Sequence, residues 1–148
     1  MKILVIHIYY YPDVIGGAEY SLKKFCEGMA NNGHQVAVLC DTRETNKDEI
    51  INDIKVYRRK LKCIIHSKSK IKKIFRALLE LNNPLNKKII LNVINNFQPD
   101  IVYTNCLERF SPITWKIISK INIPIIDTQR VHILLDPADG KYKHGINY

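Results

Sequence analysis

Two glycines offer the first hint of chemistry. Gly16 and Gly17 stand directly before a stretch of helical periodicity. Glycine lets backbone N–H groups approach an anion, and a helix N-terminus adds partial positive charge, so the pair is a candidate cradle for a diphosphate. A tight strand-to-helix turn without a ligand accounts for the same residues. The loop carries neither the G-x-G-x-x-G fingerprint nor a Walker A lysine, which sets aside dinucleotide dehydrogenases and P-loop enzymes. His7 closes the first apolar run, where an imidazole serves as a general base, as a hydrogen-bonding group facing a cleft, or as a satisfied structural residue. Asn105 and Glu108-Arg109 follow a later apolar run, and Asp127, Thr128, Arg130 and His132 follow the last one. At Arg130 a guanidinium can pair with phosphate or carboxylate, and simple solvation is the competing reading for both Arg130 and His132. Glu19 and Glu27 lie eight residues apart on the first helix and read as ordinary helix-surface carboxylates. The residues alone assign no catalytic group.

Cys26, Cys40, Cys63 and Cys106 are scattered singly, with no C-x-x-C and no zinc-type histidine spacing. They read as reduced thiols in a cytoplasmic protein, with no metal and no bound cofactor expected. The net charge is +9, and ten basic residues and no acidic one lie between Lys55 and Arg76. Such a block suits phospholipid head groups, nucleic acid or a phosphorylated substrate, and a merely solvated face in an Ile-, Lys- and Asn-rich chain also explains it. Within it, Ile71, Ile74, Phe75, Leu78 and Leu79 recur at helical spacing among Lys70, Lys72, Lys73 and Arg76. The pattern predicts a basic amphipathic helix over 70–81, and the chain reads alternatively as a non-catalytic module that binds an anionic membrane or a partner protein through it. No nucleic-acid motif or interleaved aromatic set accompanies it, so no nucleic-acid partner is expected.

The elements that must hold these groups alternate. Lys2 to His7 is a continuous apolar strand, Ala18 to Asn32 a helix ending at Asn31-Asn32-Gly33, and Val36 to Cys40 a second strand, which together form a βαβ unit. Asp41 to Asp53 reads as irregular and Ile54 to Arg59 as the third strand. Leu85 to Phe97 reads as a helix, Ile101 to Thr104 as the fourth strand, Ile113 to Lys120 as a helix and Ile123 to Ile126 as the fifth strand. With 148 residues, 46% of them apolar, the chain is the size of one domain. The class expected is α/β, a Rossmann-like doubly wound parallel sheet with helices on both faces. The polar stretch from Gly140 to Tyr148 reads as an interruption, so residues 1–148 are expected to be one domain, incomplete at its C-terminus. No apolar run is long enough for a membrane span and the N-terminal run reads as a buried strand, not a signal peptide.

Taken in order, the residues resemble the N-terminal domain of the family 4 glycosyltransferases, retaining enzymes of the GT-B fold. The resemblance runs through Tyr9-Tyr10-Tyr11-Pro12, Gly16-Gly17-Ala18-Glu19, Asn32-Gly33-His34-Gln35-Val36 and Gln98-Pro99-Asp100-Ile101-Val102-Tyr103-Thr104-Asn105. It continues in Ser111-Pro112, Trp115 and the stretch from Ile123 through Arg130 to Leu134-Leu135-Asp136-Pro137. It implies that Gly16 and Gly17 face the diphosphate of a nucleotide-sugar donor, and that His7, Asn105, Arg130 and His132 line the acceptor side. It implies sugar transfer, with retention, to a glycan or lipid-linked acceptor, as in polysaccharide biosynthesis, in the cytoplasm or peripherally at the inner face of the cell membrane. The family's donor-binding second domain, with its E-x7-E pair, is expected to be a complementary partner, and the isolated chain is expected to be inactive.

Overall fold

The computed structural model describes residues 1–14, 16–61, 84–107 and 109–128. The chain runs β1 (Lys2–Ile6), α1 (Gly17–Asn31), β2 (Gln35–Asp41), β3 (Lys47–Ile51), β4 (Ile54–Arg59), α2 (Pro84–Phe97), β5 (Ile101–Asn105), α3 (Ile113–Lys120) and β6 (Ile125–Thr128). The predicted basic helix over 70–81 lies outside the described residues, as does Cys63. Six strands form one sheet in the order β3-β4-β2-β1-β5-β6. All neighbours are parallel except β3 and β4.

β1 shows why the central strands are apolar throughout. Ile3 and Val5 pack with Leu22 and Cys26 of α1, while Leu4 and Ile6 pack with Ile90 and Val93 of α2 and Ile117 of α3. A parallel strand covered on both faces leaves no polar side to alternate with. Burial pushes the Cys26 and Cys40 thiols up to about 12, so both stay protonated at neutral pH. α1 ends as the sequence requires: Gly33 has φ +82°, its N–H donates to the Ala30 carbonyl at 2.9 Å, and the His34 N–H donates to Met29 at 3.2 Å. These paired bonds close the helix around a left-handed residue that glycine adopts without strain.

Two expectations need correction. The stretch Asp41 to Asp53 is not irregular throughout, because Lys47–Ile51 forms the edge strand β3, antiparallel to β4. Asn52 and Asp53 both have positive φ, 49° and 64°, the signature of a two-residue hairpin turn between Ile51 and Ile54. The last strand begins two residues later than expected, at Ile125, and runs through Asp127 to Thr128. Pro124 has no N–H to give the ladder, and its carbonyl instead accepts from Val102 N–H at 2.9 Å. Among the described residues no helix is long and apolar enough to cross a membrane.

Candidate functional site

β2 and β4 lie on one side of β1, and β5 and β6 on the other. The strand order therefore reverses between β1 and β5, and a crevice opens at the carboxyl ends of strands where this happens. At those ends stand His7, just past β1, and Asn105, which is the last residue of β5 and not the first of the loop expected after it, brought close because Ile6 pairs with Thr104 across the two strands. His7 is fully buried. Its Nδ1 lies 2.8 Å from the Tyr9 carbonyl and 3.2 Å from the Tyr9 N–H, so either tautomer pins the ring to the loop after β1. Asn105 is also fully buried, yet neither its amide oxygen nor its amide nitrogen has a hydrogen-bond partner among the described residues. An unpaired buried amide is costly, and such groups concentrate where a ligand or ordered water completes them. Beside it, Thr104 donates to Asp127 and accepts from the Trp115 indole N–H at 3.0 Å. Asp127 and Thr128 belong to the strand β6, not to the loop following it.

The glycine loop is held from outside. Arg58 of β4, 5% exposed, sends Nη1 to the Tyr10 carbonyl (3.2 Å) and Asp13 (3.1 Å), and Nη2 to the Tyr11 carbonyl (2.6 Å). Its Nε donates to Glu49 of β3. One guanidinium fork thus fixes the loop that leads to α1, a geometry lysine cannot reproduce. Gly16 has an extended backbone, a Cβ on it would come no nearer than 4.0 Å to Glu19, and one on Gly17 would meet nothing within 4 Å. The fold itself therefore requires glycine at neither position; what their bare backbone leaves is open approach to the start of α1. Glu19 is buried there, and accepts the Gly16 N–H at 2.9 Å, so it caps α1 and is not the surface carboxylate expected. Glu27 does sit at the helix surface, paired with Lys23 at 2.9 Å and accepting from Asn52 at 2.8 Å.

A second ion pair ties the opposite rim. Asp41, fully buried at the end of β2, accepts from Leu61 N–H at 2.8 Å and pairs with Arg109 at 2.9 Å. Between the loops after β1 and β2 lies a cavity of about 380 Å³, lined by Tyr9, Asp13, Thr42 and Arg43 among others. The guanidinium of Arg43 lies 5.9 Å from the Tyr9 ring centre. A larger cavity of about 590 Å³, against β3, β4 and α2, is lined by neither His7 nor Asn105. Sequence reasoning did not single out Arg58, Asp41 or Arg43; an arginine within the apolar β4 pattern was the available signal for the first. Arg130 and His132 lie outside the described residues, as do Lys70, Lys72, Lys73 and Arg76. Among the described residues no three His, Cys, Asp or Glu side chains gather to hold a metal.

Electrostatics give this framework a pH dependence. Lys47, and after it Arg58, hold the Glu49 carboxyl below the usual carboxylate range. Its contribution is complete above the unfolded value of about 4.3 and is lost as pH falls through the lower folded value. Glu49→Gln is expected to lower stability by about 1 kcal/mol at neutral pH. Denaturant titrations of both proteins should show that gap closing in acid; a gap constant with pH would mean the charge is not what matters.

Residues 15–144 match the family model for Glycosyltransferase Family 4. The chain belongs to glycosyltransferase family 4. The expected family and the Rossmann-like α/β class both stand, with an antiparallel edge strand added to the otherwise parallel sheet. This family 4 chain is also 31% identical, over 151 residues, to a protein from Klebsiella pneumoniae described as "Uncharacterized 42.6 kDa protein in cps region". The alignment covers 98% of this chain and 40% of the relative, so the family 4 chain spans about 40% of the length of that curated protein.

Proposed function

We propose that this domain forms the acceptor side of a sugar transferase that moves a sugar, with retention, from a nucleotide-diphosphate donor to a glycan or lipid-linked acceptor. The observation that carries the reading is Asn105: a fully buried amide without a protein partner among the described residues, at the reversal of strand order. In this reading its amide aligns an acceptor hydroxyl, and His7, locked by Tyr9, shapes the same crevice. Arg130 and His132 complete the acceptor side by family resemblance. The donor diphosphate meets the backbone N–H groups of Gly17 and Ala18 at the start of α1, Glu19 already occupying that of Gly16. Leaving-group charge must be met from both sides of a cleft, so turnover calls for a second, donor-binding domain.

The test is radiolabelled sugar transfer by the chain joined to or co-expressed with such a domain. Asn105→Ala is expected to lower kcat/KM at least about tenfold, the cost of a hydrogen bond made to a reacting substrate. Circular dichroism should match the unsubstituted protein. Unchanged kcat/KM would remove Asn105 from the site, and no transfer from any nucleotide-sugar would remove the reading itself.

A further inference from the structure

The cavity of about 380 Å³ between the loops after β1 and β2 has a chemistry of its own. Part of its lining is apolar, Pro12 and Val14, both exposed, and part is polar, Asp13, Thr42, Arg43 and Glu44. The walls are held in place. Asp13 is fixed by Arg58 at 3.1 Å and by its own N–H on the Tyr10 carbonyl at 3.0 Å. Thr42, 5% exposed, accepts the Glu44 N–H at 3.2 Å. The Asp41 N–H donates to the Ile8 carbonyl at 2.9 Å and so ties the two loops together. Arg43 and Glu44 are exposed, and neither has an ion-pair partner among the described residues. Tyr9 joins this cavity to the crevice at Asn105, since its backbone is pinned by His7 while the residue lines the cavity.

We infer that this cavity is a second acceptor subsite, which holds a neutral pyranose of the acceptor glycan while the reacting sugar lies at Asn105; the inference rests on the acceptor-side reading above. A pyranose presents apolar C–H faces and a rim of hydroxyls that both give and take hydrogen bonds. Pro12 and Val14 suit the faces, and carboxylates that accept beside a guanidinium that donates suit the rim. Other ligand classes fit less well. Arg43 and Glu44 balance in charge and Asp13 is already paired with Arg58, so no surplus positive charge is left for a phosphate or a uronate. Tyr9 is 8% exposed, with Arg43 over its ring, so no open aromatic face awaits a nucleobase. The position of the cavity adds a constraint on length. β2 and β5 flank β1, so Thr42, just past β2, and Asn105, at the end of β5, stand about 10 Å apart across the sheet. One sugar does not bridge that span, whereas an oligosaccharide does. The acceptor is therefore a disaccharide or longer, and the reaction that supplies it is itself a glycosyl transfer: the enzyme extends a glycan and does not start one on a lipid or a protein.

The test is an amide NMR titration of the whole 148-residue chain with methyl glycosides of glucose, galactose and mannose, with their disaccharides, and with glucuronic acid and inorganic phosphate. Neutral sugars are expected to shift the amides of Val14, Thr42 and Arg43, and the disaccharides to shift those of His7 and Asn105 as well. Arg43→Ala should weaken this binding about tenfold, the loss of hydrogen bonds from a charged donor. Its thermal midpoint should be unchanged, because the side chain is exposed. Glucuronic acid or phosphate shifting these amides in place of the neutral sugars overturns the inference, and so does the absence of any shift there. Transfer by the chain joined to a donor-binding domain separates the subsite from the reading beneath it. Arg43→Ala should lower kcat/KM for disaccharide and longer acceptors far more than for a monosaccharide glycoside. Transfer indifferent to Arg43 and to acceptor length overturns the subsite alone. Neutral-sugar shifts at Arg43 with no transfer from any nucleotide-sugar overturn the transferase reading and leave the glycan pocket standing.

Discussion

Arg109→Ala is expected to destabilise the chain by about 3 kcal/mol, because it leaves the Asp41 carboxylate buried with no cation beside it. Asp41 is 0% exposed, and its other partner is a single backbone N–H, that of Leu61. One neutral hydrogen bond does not offset the desolvation of a full charge. Arg109 itself is 36% exposed, so losing its own contacts costs little, and the penalty lies almost wholly with the carboxylate it abandons. Adding Asp41→Asn to Arg109→Ala should therefore recover a large part of the loss, since a neutral amide needs no counter-charge. Urea titration of the four proteins of this cycle measures it. Equal stability of the single Arg109 variant and the double variant would show that the arginine acts by packing alone.

Arg58→Ala is expected to cost at least about 3 kcal/mol and, unlike the first change, to loosen a functional segment. Of its partners, Asp13 is 58% exposed and contributes little. The weight lies with Glu49, 17% exposed, and with the carbonyl of Tyr11, which has to find another donor, while that of Tyr10 keeps only the Asp13 N–H. The Asp13 N–H donates to Tyr10 at 3.0 Å within the same loop, so its hydrogen exchange reports directly on whether the loop is still held. Exchange at Asp13 should accelerate far more than at the β1 amides. Arg58→Lys should restore little of the protection, because one ammonium cannot span two carbonyls and two carboxylates. A uniform acceleration across the sheet would mean that Arg58 supports global stability only.

What the sequence discloses and what it hides follow physical lines. Strands buried on both faces write themselves as apolar runs, so β1, β2, β4 and β5 are legible, and the strand-end rule then leads to His7 and Asn105. β3 is hidden because its Lys47-Asp48-Glu49 is stabilised by partners on β4 and not by burial. The start of β6 is misplaced because apolarity continues through Pro124, which accepts a hydrogen bond at its carbonyl but has no N–H to donate. Glu19 reads as a surface residue until the path of the loop is known, since a capping carboxylate is recognised only from the N–H it meets. Arg58 and Asp41 depend on partners 45 and 20 residues away at Asp13 and Leu61, which spacing along a chain does not reveal.

The hairpin at the sheet's edge bears on how the chain behaves when concentrated. An open outer strand is a template on which other molecules add strands and grow into fibrils. On β3, Lys47 pairs with Glu49 on the same strand, while Asp48 and Glu49 reach across to Arg59 and Arg58 of β4. An incoming strand would have to settle against this charged row without disturbing it. The charged half of β3 thus opposes strand addition, and Ile50, exposed further along the same strand, is where that edge stays open to it.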